Sequence, residues 1–289
     1  MAIATYHRPV SLAILEGLGG DFSLVSASST LIVTTNGPYS MALNGFFNSN
    51  GTGSATSITY SHDNAPYLTF SGFSLSTTDT YGAYTLFRGN DRINGSWGND
   101  IFFISQGNDD YYGGTGLDTI LVDANRSYVT VAASGKGYIL KAPNKTDTMN
   151  GVERLTFMDG TLALDVKAGE TTGSVYRLYQ AAFDRKPDTA GLKYWLDQVD
   201  QSASVAQVAL GFVQSNEFRQ LNPGGDTNTM LNNYYKNVLH RPADATGLAY
   251  WSNAVASGQP SHQILAAFAE SNENIANTLA ATKDGIWLG

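Results

Sequence analysis

Cysteine is missing from all 289 residues, so disulfides, thiolate nucleophiles and cysteine-built zinc sites are excluded at once. Charge is scarce as well: 15% of residues are Asp, Glu, Lys or Arg, and 25 acids outnumber 17 bases for a formal net charge of −8. A chain this short of clustered Lys and Arg does not neutralise phosphates, which argues against nucleic acid as a partner. No run of 18 uncharged apolar residues occurs, so no membrane insertion is expected. The opening stretch MAIATYHRPVSLAILEGLGG has neither a basic cluster nor a small-residue cleavage site, and it does not read as a Sec signal peptide. Catalytic motifs are lacking too: His7, His62, His240 and His262 lie in unrelated contexts, and there is no HExxH, Walker A or nucleophile elbow.

What is present suffices for a folded chain of about two modules. Hydrophobic residues make up 42% and aromatics 11%, enough apolar surface to offset chain entropy. Gly, Ser, Thr and Asn crowd the first 160 or so residues, where short apolar runs (Leu31 to Val33, Met41 to Phe47, Tyr67 to Leu75) predict strands between turns.

From Leu86 the chain divides without gaps into four nonapeptides, LFRGNDRIN, GSWGNDIFF, ISQGNDDYY and GGTGLDTIL. Position four is Gly89, Gly98, Gly107 and Gly116; position six is Asp91, Asp100, Asp109 and Asp118; position eight is Ile93, Phe102, Tyr111 and Ile120. Three residue classes recurring in phase are the mark of a repeat architecture. Glycine allows a left-handed tight turn, aspartate supplies the hard oxygen that calcium requires, and the apolar residue fills the core of a short strand. Two repeats then complete one turn of a parallel β-roll, stacking Asp91 over Asp109 on one edge and Asp100 over Asp118 on the other. Such stacked carboxylates repel unless a cation lies between them, so Ca2+ binding is expected to be coupled to folding. Phe102 and Tyr111, at position eight, are expected in the core, whereas Trp97, Phe103 and Tyr112 are candidates for a solvent-facing platform that stacks on sugars.

This block resembles the calcium-binding repeats of RTX proteins, which type I systems of Gram-negative bacteria secrete. The resemblance covers about 36 residues and implies metal ligation at the four Gly-x-Asp units, with backbone carbonyls of the same loops completing about two ions. Only Gly113-Gly114 keeps the leading glycine pair of that family; Leu86-Phe87 and Ile104-Ser105 depart from it. Val122 to Thr130 extends the register with Ser127 in the aspartate column and Val129 in the apolar column, as a capping coil. GYILKA and GVERLTFMDGTLALDV beyond it, the latter around a Met158 to Gly160 turn, are expected to be strands closing the roll.

After Gly169 the pattern becomes helical, with Val175, Leu178, Tyr179, Ala182 and Phe183 at three- and four-residue spacing. A second repeat appears with an offset of 56: Tyr179 matches Tyr235, Arg185 matches Arg241, Asp188 matches Asp244, Trp195 matches Trp251, Phe212 matches Phe268, and the Ser-Asn-Glu triplets begin at Ser215 and Ser271. Each copy reads as three helices, with Asp188 or Asp244 capping the second and Arg185 or Arg241 available to pair with it. The pattern LYQAAFDRKPDTAGLKYW resembles domain-of-unknown-function family 4214, whose members are often joined to RTX repeats in secreted or surface proteins.

The expected architecture is therefore mixed, β then α. An N-terminal β-rich domain (1–85) continues into a calcium-binding parallel β-roll with capping strands (86–168), followed by an all-α bundle of two repeats (169–289). The expected role is that of a secreted structural protein, not an enzyme. Type I secretion machinery would export it to the bacterial cell surface, where calcium orders it and self-association follows. Two alternatives stay open: an adhesin holding lipopolysaccharide or exopolysaccharide, and a hydrolase with its site in the N-terminal region around His62 and Asp63.

Overall fold

The computed structural model describes residues 3–8, 23–28, 30–48, 53–76, 88–135, 137–222 and 226–289; the departure at Leu86-Phe87 lies outside them. The chain divides into two units, 1–161 and 162–289.

The described residues of unit 1 form mainly β structure. Its first strands are β1 (Ile3–Tyr6), β2 (Ser23–Ala27), β3 (Leu31–Asn36), β4 (Tyr39–Phe47), β5 (Gly53–His62) and β6 (Ala65–Ser76). β2 to β6 form an antiparallel meander, each strand paired with the next. Ser is the commonest residue of these segments and Thr the next; the Thr, Tyr, Phe and Ile among them fit a pleated, half-buried surface. The hairpin between β5 and β6 turns through Asp63 and Asn64 at φ 51° and 62°, the paired positive φ of a two-residue turn matched to strand twist.

The nonapeptides supply β7 (Arg92–Asn94), β8 (Ile101–Phe103), β9 (Asp110–Tyr112) and β10 (Thr119–Leu121). The chain alternates between two sheets at each repeat: β7 pairs parallel with β9, and β8 with β10, so Ile93 lies beside Tyr111 and Phe102 beside Ile120. All four position-eight side chains are at most 5% exposed. Burying each contributes about 1.5–3 kcal/mol, which makes this column the coil's core. β1 pairs antiparallel with β6 and parallel with β7, adding a rung below the first coil; Tyr6 stacks on Phe102 at 5.1 Å.

Beyond Leu121 the expected capping coil is replaced. Arg126–Tyr128 forms a short 3₁₀ turn, which takes Ser127 out of the aspartate column. A three-stranded excursion follows, β11 (Thr130–Ser134), β12 (Gly137–Ala142) and β13 (Lys145–Asn150), and β13 returns to pair parallel with β9. Met149 lies beside Tyr111 and so holds the core place expected for Val129. β14 (Arg154–Phe157) then pairs parallel with β10, and the chain turns at Met158-Asp159 into β15 (Gly160–Ala163), as the sequence predicts.

Unit 2 is helical. It contains α1 (Thr171–Phe183), α2 (Thr189–Asp200), α3 (Val205–Gln214), α4 (Asn216–Leu221), α5 (Thr227–Leu239), α6 (Ala245–Ala256), α7 (Ser261–Ala269) and α8 (Asn272–Thr282). Leu162 and Ala163 pair with β16 (Ile286–Trp287). Each copy has four helices rather than three, because Ser215 and Ser271 break the third with extended backbone and then cap a further helix through Phe218 N and Asn274 N. The two copies share one core, in which Leu178, Phe183, Phe212, Leu231, Leu265 and Phe268 are buried. The five residues spaced for helix, Val175 to Phe183, are all on the buried face of α1. Among the described residues no helix is long and apolar enough to cross a membrane.

Candidate metal centre

The position-six acids are deeply buried: Asp91, Asp100, Asp109 and Asp118 are 0–3% exposed. They stand in two ladders. On one edge the backbone N–H of Asp91 donates to Asp109 Oδ1 at 2.9 Å, and that of Asp109 donates to Asp147 Oδ1 at 3.0 Å. On the other, Asp100 N–H donates to Asp118 Oδ1 at 2.8 Å, and Asp118 N–H to Glu153 Oε2 at 2.8 Å. Each carboxylate thus holds the coil before it. The repeat pairs Asp91 with Asp109 and Asp100 with Asp118, as its spacing implies, and the structure extends both ladders by one acid.

The glycine column permits this stacking. Gly107 and Gly116 have φ of 101° and 130°, a region that L side chains rarely adopt. A β-carbon on Gly107 would fall on the carbonyl oxygen of Gly89, and one on Gly116 would lie 2.6 Å from the carbonyl carbon of Gly98. Gly89 itself has only Asp91 Oδ1 nearby, at 3.9 Å. Position five forms a further ladder running the other way. Asn108 N–H donates to Asn90 Oδ1 at 2.9 Å, Leu117 N–H to Asn99 Oδ1 at 2.8 Å, and Thr146 N–H to Asn108 Oδ1 at 2.7 Å.

The second oxygens of the acids differ in a way that matters for a cation. Asp100 Oδ2 accepts from Ser96 Oγ at 2.9 Å, and Asp109 Oδ2 from Ser105 Oγ at 2.6 Å, both serines being at position two. In the repeat of Asp118 that position is Gly114, and Asp118 Oδ2 is buried with no hydrogen-bond donor. Burial pushes the Asp118 carboxyl up to about 6, with the Asp100 carboxylate adding to the rise. Burial likewise raises Asp109 and Asp147, each further raised by a neighbouring acid of the ladder. The donor set is oxygen throughout, which suits a hard cation such as calcium rather than zinc. Among the described residues no three His, Asp or Glu side chains converge enough to hold a metal by themselves.

Other predicted side chains fall outside these ladders. Phe102 and Tyr111 are in the core, while Trp97 and Phe103 are 72% and 53% exposed. The Arg92 guanidinium lies over the Tyr112 ring, 4.3 Å from its centroid. His62 Nδ1 is 3.1 Å from Asp63 Oδ2, in the β5–β6 turn, and its ring meets Tyr39 edge-on.

The helical repeat uses its charges differently. Asp188 and Asp244 cap α2 and α6, accepting from Gly191 N at 2.7 Å and Gly247 N at 2.8 Å. Arg185 reaches Asp188 at 3.4 Å and Glu217 at 3.0 Å, and Arg241 repeats this with Asp244 at 3.3 Å and Glu273 at 2.7 Å. Each arginine also lies over the ring of Tyr179 or Tyr235, at 5.0 Å. The Arg-to-Asp pairing follows the sequence motif. The glutamates come from the Ser-Asn-Glu triplets, 32 residues away, and only the fold brings them in.

No curated protein is significantly similar to the chain. The family model described as Domain of unknown function (DUF4214) matches it twice, at 168–222 and at 224–278. These matches follow the internal duplication, so each four-helix copy of the C-terminal half is similar to that family's domain.

Proposed function

We propose that the chain is a calcium-binding structural protein in which the nonapeptide coil acts as a β-roll that orders on binding the ion. The observation that carries this reading is the pair of buried carboxylate ladders, above all the donor-free Oδ2 of Asp118 beside Asp100. Asp100 and Asp118 would hold the ion together with backbone carbonyls of the Gly98 and Gly116 loops. The ion supplies the positive charge that offsets burial of like charges. Gly89, Asp91, Gly107 and Asp109 form the corresponding loops of the other edge.

An acidic coil that stays loose at low calcium and orders at high calcium suits passage through type I secretion machinery followed by folding outside a Gram-negative cell. The RTX resemblance and the attached helical domain support that setting. In this reading the folded chain self-associates at the cell surface or in the extracellular matrix and performs no catalysis. A second reading, an adhesin for lipopolysaccharide or exopolysaccharide, is favoured by the exposed rings of Trp97 and Phe103.

Calcium titration of chelator-treated protein, followed by circular dichroism and light scattering together, separates these readings. Ordering with growth in particle size, blunted by Asp100→Ala and Asp118→Ala, is the expected result. Ordering without growth, together with retention on a glycan column lost in Trp97→Ala, would transfer the role to the adhesin. No response to calcium would refute both the ion and the assembly it triggers.

A further inference from the structure

The last step of one ladder already contains a cation. Lys145 opens β13, two residues before Asp147, and that place is the glycine column: Gly107 stands two before Asp109, Gly116 two before Asp118, and Gly151 two before Glu153. Where those loops have no side chain, Lys145 sends an ammonium back into the ladder. Its Nζ lies 2.8 Å from Asp147 Oδ2 and 3.9 Å from Asp109 Oδ2, and it donates to the backbone carbonyl of Ser105. The Lys145 side chain is 15% exposed, and those of Asp109 and Asp147 are 0% and 1% exposed. Two carboxylates of successive coils and a loop carbonyl are the kinds of ligand a hard divalent ion gathers. Here one ammonium gathers them, while Ser105 Oγ takes up Asp109 Oδ2 as well.

We propose that Lys145 is a built-in counter-ion which takes the place of calcium between Asp109 and Asp147. This step of the last coil is closed to metal, and calcium ordering falls to the steps that lack a built-in cation, above all that of Asp100 and Asp118. The inference rests on the calcium reading for the second edge; the role of Lys145 on the first stands on its own contacts. It also ties β13 to the loop before β9 without calcium, through Lys145 Nζ on Asp109 Oδ2 and on the Ser105 carbonyl.

The test uses the full chain and four forms: wild type, Lys145→Met, Lys145→Arg and the double variant Lys145→Met/Asp147→Asn. Bound calcium per chain is measured by equilibrium dialysis, and melting temperature in chelator and in saturating calcium. Lys145→Met is expected to bind one more calcium ion than the wild type, to melt lower in chelator and to recover in calcium. Lys145→Arg keeps a cation and is expected to bind the wild-type number. The double variant removes the acid along with its partner. It should regain much of the melting temperature in chelator without gaining the ion, because a buried charge left alone costs more than a pair removed together.

Equal calcium counts in wild type and Lys145→Met, with the wild type binding the ion, would overturn the counter-ion role and leave the calcium reading standing. A wild type that binds none beside a Lys145→Met that binds one would do the reverse. A double variant as unstable in chelator as Lys145→Met would also overturn it, leaving only a packing role for the lysine stem.

Discussion

The nine-residue coil and the helical pair are both made by repetition, yet they balance charge in opposite ways. In the helical unit the repeated acids find a cation inside the protein: Arg185 serves Asp188 and Glu217, Arg241 serves Asp244 and Glu273, and the buried Arg177 of the first copy pairs with Glu270 of the second. Nothing from outside is required. In the coil the repeat brings acid over acid, and apart from backbone N–H groups and serine hydroxyls the only cation on the Asp91–Asp109–Asp147 ladder among the contacts described is Lys145. Repetition at short period leaves little room for variety, since a nonapeptide carrying an acid at position six must stack it on its own kind. A 56-residue unit has room to include the counter-charge.

The sharpest way to break the comparison is through glycine. Gly107→Ala and Gly116→Ala force a side chain into the neighbouring coil at positive φ, and each is expected to destabilise unit 1 by roughly 2–4 kcal/mol in chemical denaturation. Gly89→Ala, with open space at its β-carbon, should cost well under about 1 kcal/mol. Equal losses at all three positions would mean that the loops do not stack.

A pH series sharpens the electrostatic side. Asp118 is raised from 3.8 to about 6, so the folded coil retains a proton that the unfolded chain has released. That contribution to stability is fully present below 3.8 and is lost as pH rises through about 6. In chelator the coil should therefore melt lower as pH rises across this window. Calcium, which offsets the ionised carboxylate, should flatten the dependence, and Asp118→Asn should remove it even without calcium.

The smallest effect is expected in the helical unit. Arg241→Ala leaves Glu273 and Asp244 exposed to water, so a slight fall in melting temperature that shrinks further with salt is the expected outcome. Calcium should not alter it. A calcium-dependent loss here would remove the contrast between the two repeats.

Much of this was legible in the sequence because the columns are short-range. Gly-x-Asp-x-apolar places ligand, turn and core within five residues, and the 56-residue offset places Asp188 and Asp244 as caps without any knowledge of packing. The ladder ends were not legible. Asp147 lies 38 residues after Asp109 instead of 18, because β11 and β12 intervene, and Glu153 lies 35 after Asp118. Counting nines leads instead to Ser127, which the 3₁₀ turn removes. The Asn90, Asn99 and Asn108 column was present in the sequence as a fourth repeating class, and its ladder role was the signal left unused. Lys145 carries no local mark at all; only β13 returning beside β9 shows that it stands where a glycine would.

Hydrogen exchange of the full chain, compared in chelator and in calcium and resolved to peptides, tests the central claim most directly. The account predicts that peptides covering the backbone N–H groups of Asp91, Asp100, Asp109 and Asp118 gain protection in calcium, most strongly at Asp100 and Asp118, while α1 to α8 exchange alike in both conditions. Identical exchange in the coil with and without calcium would contradict it.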